Sequence, residues 1–158
     1  MTKRAGIAVV LWMALCVGVG LAGGLVTASS VATWYPTLNK PPWTPPGAVF
    51  GPVWTALYAM MGVAAWLVWR QGASPARRMA LTLFAIQLTL NSLWSSLFFG
   101  LRRPGMALVD IVLLWVAIMA TVVVFWRRAR WAGALLLPYL GWVSFATALN
   151  AAIWQLNR

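Results

Sequence analysis

Apolar residues in this chain run on instead of alternating. Five stretches, at about residues 6–28, 47–70, 78–100, 105–126 and 131–154, are almost continuously apolar. A helix that crosses a bilayer needs about 20 such residues, and each stretch has that length. Tryptophan and arginine mark the ends: Trp66, Trp69 and Arg70 close the second run, Trp126 precedes Arg127 and Arg128, and Trp131 opens the fifth. Indole rings at headgroup level with cations beyond them are the signature of the two membrane faces. The later connections, QGASPAR, LRRPG and RRAR, are short, and short connections force antiparallel neighbours. The pattern predicts an all-α integral membrane protein, a five-helix bundle forming one domain over 1–158.

Composition agrees. Of the 158 residues, 63% are hydrophobic and 8% charged, more apolar surface than a soluble domain of this size can hide. A net charge of +11 invites a nucleic-acid reading. The cations, however, sit in small clusters at segment ends, where hydropathy rules place them, and nucleic acid is excluded as a partner. Eight of them (Lys3, Arg4, Arg70, Arg77, Arg78, Arg127, Arg128, Arg130) fall on one side of the bundle. Four (Lys40, Arg102, Arg103, Arg158) fall on the other. The positive-inside rule then predicts a cytoplasmic N-terminus, with the C-terminus and first loop outside. The first run is too long for a signal-peptide core and reads as a retained transmembrane helix. Its Gly20 and Gly24 have GxxxG spacing, read equally as a close helix contact or as ordinary glycine tolerance. Cys16 has no intrachain partner and reads as a small buried hydrophobe. The chain has no histidine, so no histidine base or histidine-held metal is available, and no metal site or required cofactor is expected.

The one long connection is of a different kind. WYPTLNKPPWTPP, residues 34–46, carries Pro36, Pro41, Pro42, Pro45 and Pro46 together with Trp34 and Trp43. Proline fixes φ and removes a backbone donor, so such a loop holds shape without a hydrogen-bond ladder and serves as a stiff lid. Under it, by depth, the unusual residues converge. Trp54 and Tyr58 share one face of helix two. Gln87, Asn91, Trp94 and Phe98 form one stripe on helix three, and Tyr139, Trp142, Ala146 and Asn150 another on helix five. Asp110, the only acidic residue, lies early in helix four. Polar groups at membrane depth face the protein interior or a cavity, so Gln87, Asn91, Asp110 and Asn150 should point inward. Aromatic walls with a few placed polar groups describe a pocket for a flat apolar molecule.

Plainer readings stand beside these. Trp66, Trp69, Trp126, Trp131 and Trp154 read as interfacial anchors. Trp54, Trp94 and Trp142 lie deeper and are either packing filler or pocket wall. Asn91 and Asn150 are either interhelical hydrogen-bond partners or ligand contacts. Asp110 reads as structural, pairing with Arg102 or Arg103 or capping helix four.

At these residues the chain resembles the TspO/MBR family, the tryptophan-rich sensory proteins related to the mitochondrial translocator protein. WYPTLNKPPWTPPGAVFGPVWTALYAMMG (34–62), QLTLNSLWSSLFFG (87–100), ALVDIVLLW (107–115) and PYLGWVSFATALN (138–150) carry the resemblance, which spans about residues 6–154. It implies a bacterial multi-pass membrane protein, often a homodimer, that binds porphyrins, haem and drug-like apolar ligands beneath the first loop. It implies ligand contacts at Tyr35, Pro42, Phe50, Trp54, Tyr58, Asn91, Trp94, Trp142 and Ala146. Some members resemble light-dependent porphyrin-degrading catalysts acting through a tryptophan radical, for which Trp54 and Trp142 are the matching positions. Late helix five departs from the sterol motif proposed for mammalian members: LNAAIWQLNR has no tyrosine between Leu149 and Arg158.

Three functions follow: a receptor or sensor that binds tetrapyrroles, an oxidative porphyrin-degrading enzyme, and a transport component. The chain lacks His, Glu and any carboxylate pair, which leaves an enzyme only radical or photochemical chemistry. A single intramembrane acid and no clear repeat argue against coupled transport. Binding needs the fewest additional features, with the porphyrin held by stacking and not by a ligand to its metal.

Overall fold

The computed structural model describes residues 3–158, with side chains from Ala5 onward. The Lys3 and Arg4 side chains, which enter the charge count, lie outside the described residues. The helices are α1 (Lys3–Thr33), α2 (Gly47–Trp69), α3 (Pro75–Ser95), α4 (Pro104–Arg128) and α5 (Arg130–Leu156). A single 3-10 turn, Tyr35–Thr37, interrupts the first loop, and α3 runs on into a π-helical turn, Ser96–Gly100. All five helices are long and apolar enough to cross a membrane. The protein is an all-α, multi-pass integral membrane bundle.

The helix ends differ from the hydropathy boundaries for local reasons. The apolar run of α1 stops near residue 28, but the helix continues to Thr33. Its hydroxyls fold back: Thr27 Oγ1 donates to the Gly23 carbonyl at 2.9 Å, and Thr33 Oγ1 to that of Ser29 at 2.7 Å. Such back-bonding lets Thr sit in a helix without exposing a polar group. Pro36 then stops it. At the start of α3, Ser74 accepts from the Arg77 amide at 3.1 Å and Pro75 takes the first helical position, so the helix begins three residues before its apolar run. One extended residue, Ala129, separates α4 from α5.

α4 and α5 pack along each other, α1 lies on α2, and α2 and α3 close the bundle against α5 and α4. Met61, Ala64 and Val68 meet Ile111, Leu114, Ile118, Phe125 and Tyr139 in one core. Glycine sets the closest approaches. A Cβ on Gly62 would fall 2.6 Å from Met13 Cα and 2.8 Å from Met13 N, so α1 and α2 touch backbone to backbone. The GxxxG pair divides: a Cβ on Gly20 would enter the Tyr58 ring, whereas Gly24 faces open space. Elsewhere α1 is largely uncovered, with Ile7, Leu11, Leu21 and Leu25 exposed to the bilayer.

Gly62→Ala should destabilise the purified protein by about 1–3 kcal/mol, because the Met13 backbone cannot move aside as a side chain could. Gly24→Ala, with nothing within 4 Å, should leave thermal unfolding in detergent unchanged. Equal effects at the two glycines would contradict the α1–α2 contact.

Candidate ligand-binding site

The interior polar groups of the loop end are held by amides. Tyr58 Oη on α2 donates to Asn91 Oδ1 on α3 at 2.5 Å, and Asn91 Nδ2 donates to Tyr139 Oη on α5 at 2.9 Å. Asn91 is 1% exposed; one side chain thus ties three helices where no water competes. Trp94 Nε1 donates to Asn150 Oδ1 at 3.0 Å, and Asn150 Nδ2 donates to the Pro104 carbonyl at 2.8 Å, joining α3, α5 and the start of α4. Gln87, Asn91, Asp110 and Asn150 are all buried, as their depth requires.

Aromatic rings surround these amides. Trp54 lies 5.7 Å from Tyr58 and 6.2 Å from Tyr139 between centroids. Phe50 meets Trp142 edge-on at 5.8 Å, Trp142 lies 5.6 Å from Phe145, and Trp43 of the loop stands edge-on to Phe145 at 5.8 Å. Ala146 is buried in the same core. A second group, continuous with the first through Phe50 and Trp94, gathers Trp34 and Tyr35 on Phe98 and Phe99. The π-helical turn produces it: Leu101 N bonds to the Ser96 carbonyl at 2.8 Å, and the extra residue brings Phe98 and Phe99 to 4.8 Å of each other. Of the expected contacts, Pro42 alone is exposed, and no ring packing ties it to the rest.

Among these rings the Trp142 Nε1 stands out, because it is buried without a hydrogen-bond partner among the described residues. An unmet donor costs about 1–3 kcal/mol, and such atoms are rare enough in native interiors to require a reason.

The loop is held by side chains in place of a ladder. Lys40 Nζ donates to the carbonyls of Tyr35 (2.8 Å), Leu38 (2.9 Å) and Pro36 (3.2 Å), and lies 5.0 Å from the Tyr35 ring centroid. One ammonium satisfies acceptors that the prolines leave without donors. Burial pushes the Tyr35 phenol above its usual pKa, so it stays neutral, and able to donate, throughout the physiological range. The loop is also clamped to the end of α5. Asn39 N donates to Asn157 Oδ1 and Asn157 Nδ2 donates to the Asn39 carbonyl, both at 2.9 Å. Sequence reading missed this clamp and the roles of Lys40, Trp43 and Phe145. The paired asparagines lie 118 residues apart, and no local pattern joins them.

Two expectations are corrected. Asp110 neither caps α4 nor pairs with Arg102 or Arg103. It lies beyond the first turn, the helix begins at Pro104 after Arg103, and Asp110 Oδ2 is buried without a partner among the described residues. Arg102 instead adopts a left-handed φ of 54° in the turn between α3 and α4. Trp66 is not an interfacial anchor: it is 7% exposed, with Arg70 stacked 4.9 Å from its ring. Trp69, Trp126, Trp131 and Trp154 are exposed at the helix ends, as anchors should be.

Fold and site define a five-helix membrane protein whose aromatic, amide-bridged interior packs under an ordered loop. The TspO/MBR family model matches residues 12–155. The chain is 48% identical over 139 residues to the tryptophan-rich protein TspO of Archaeoglobus fulgidus, covering 88% of this chain and 90% of that protein. It is 44% identical over 127 residues to the human translocator protein, covering 79% and 75%. It is 38% identical over 146 residues to a tryptophan-rich sensory protein of Cereibacter sphaeroides, covering 92% and 89%. The chain belongs to the TspO/MBR family.

Asn91→Leu should cost about 2–4 kcal/mol, since it strands two buried phenols at once. Asn157→Ala should leave global unfolding nearly unchanged and raise amide hydrogen exchange at residues 37–40. Exchange there as slow as in the parent protein would show that the clamp does not order the loop.

Proposed function

We propose that this protein is a membrane receptor or sensor that binds tetrapyrroles, such as protoporphyrin and haem, and similar flat apolar molecules at the loop end of the bundle. The observation that carries the reading is the Phe50–Trp142–Phe145 wall with the unpartnered Trp142 indole N–H. Ring faces attract a planar π-system, and one free donor supplies an orienting hydrogen bond. Trp54, Tyr58, Asn91, Trp94 and Ala146 form the inner side of the site, and Tyr35 and Pro42 belong to the loop that covers it. The names of the relatives, one a sensory protein and one a translocator, support a sensor or receptor role in the membrane.

Recognition here rests on stacking. The chain has no histidine, and Cys16 is wholly buried in the helix core; a haem would be held by its macrocycle. The first loop faces outward and the N-terminus inward, as the arginine distribution favours. The uncovered face of α1 supports association with a second copy of the chain.

The test is a protoporphyrin titration of the detergent-solubilised protein, read by quenching of tryptophan fluorescence. Trp54→Phe and Trp142→Phe should each weaken binding about tenfold, within the 1–3 kcal/mol that a stacked aromatic contributes. Trp69→Phe should not change it. Equal effects at all three positions, or no saturation, would overturn the assignment. Light-dependent loss of the porphyrin bands that requires Trp54 or Trp142 would instead make the protein a catalyst.

A further inference from the structure

At the end of the bundle opposite the loop, the outer face of α3 carries a groove of about 710 Å³. Its lining recurs along the helix. Leu81 and Thr82, Ala85 and Ile86, and Thr89 and Leu90 succeed each other at helical spacing, and Trp69 stands beside them at the end of α2. Alanine leaves the floor open, while leucine and isoleucine make the walls. The Thr89 hydroxyl is turned back onto the Ala85 carbonyl at 2.9 Å, so its methyl is left for the groove. Ser74, Arg77 and Arg78 lie at one end only. From Arg77 to Leu90 the helix rises about 20 Å, enough to reach from headgroup level through one hydrocarbon leaflet of about 15 Å.

The charges at that end are unbalanced. Arg77 Nη1 donates to the Trp69 carbonyl at 3.1 Å, and Arg128 Nη2 to Ser74 Oγ at 2.8 Å. Both partners are neutral. The chain has one acidic residue, Asp110, and it is buried in the second turn of α4, which starts at the loop end. No carboxylate side chain of this protein is free to meet the arginines, and a second copy would bring none either. Packing two copies on this face would set like charges together.

We propose that the α3 groove is a binding site for an anionic membrane phospholipid, with one acyl chain lying along Leu81–Leu90 and the phosphate between Arg77 and Arg78. Arginine suits phosphate through its planar, multiple donors, and a cation at the membrane surface favours anionic lipid.

The experiment is native mass spectrometry of the full chain released from detergent, with phosphatidylglycerol and phosphatidylcholine of the same acyl chains. The parent protein should retain phosphatidylglycerol about tenfold better. Arg77→Gln/Arg78→Gln should erase that preference, and Ala85→Trp, on an exposed position, should reduce retention of both lipids by obstructing the groove. Arg127→Gln/Arg130→Gln makes the same charge change at the same membrane face outside the groove and should keep the preference. Equal loss in the two arginine pairs would reduce the effect to general surface charge and overturn the site. So would unchanged retention in Ala85→Trp. A Thr89→Cys disulfide dimer formed in membranes, in a Cys16→Ser background, would assign the groove to a second copy instead.

Discussion

A bilayer offers no hydrogen bonds, and this bundle is arranged around that fact. Asn91 is the residue on which most depends. Its amide accepts from Tyr58 and donates to Tyr139, so the two deepest phenols of α2 and α5 are met by one side chain of α3. Wherever the unfolded chain's polar groups would find water in a soluble protein, here they must find each other. The register of three helices is fixed as a result. Asn150 repeats the device nearer the loop, turning the Trp94 indole and the first carbonyl of α4 into a second bridge. With those positions set, the aromatic rings between them have defined places, and the site inherits its geometry from the amides.

The loop follows the same economy with different chemistry. A proline-rich segment has few donors to offer its own carbonyls. Lys40 supplies them from a side chain, and the Asn39–Asn157 exchange fastens the loop to the last turn of α5. The loop therefore keeps a shape with only one short 3-10 turn, Tyr35–Thr37, of its own. Its aromatic residues Trp34, Tyr35 and Trp43 rest on rings of α3 and α5, so rigid cover and aromatic wall are one packed unit. An ordered cover loses less entropy on ligand binding than a mobile one.

Much of this was legible in the sequence because membrane physics is restrictive. Helix number and approximate limits follow from apolar length. The inward direction of Asn91 and Asn150 follows from the cost of exposing amides to lipid. Three kinds of feature were not legible. Trp66 looks like an anchor by position, and only packing shows that it points into the protein. Asp110 looks like a cap or an ion-pair partner by its nearness in sequence to Arg102 and Arg103, but it lies past the first turn of α4 with its side chain buried. The Asn39–Asn157 clamp joins residues with no local relation, and the π-helical turn that sets Phe98 against Phe99 has no sequence signature. In each case the deciding quantity is a side-chain direction, a long-range contact or a local change of helical register, which a pattern of residue types does not encode.

The central claim is that the loop-end interior is a ligand site in which the buried Trp142 indole N–H, without a partner among the described residues, meets the ligand. The most direct measurement is the indole N–H region of an NMR spectrum, recorded as protoporphyrin is added to labelled protein in micelles. The Trp142 resonance should move strongly as its donor gains an acceptor and its ring a stacked partner, while those of exposed Trp69 and Trp131 stay in place. Shifts confined to Trp69 and Trp131, with Trp142 unmoved, would contradict the account and place the porphyrin at the membrane surface.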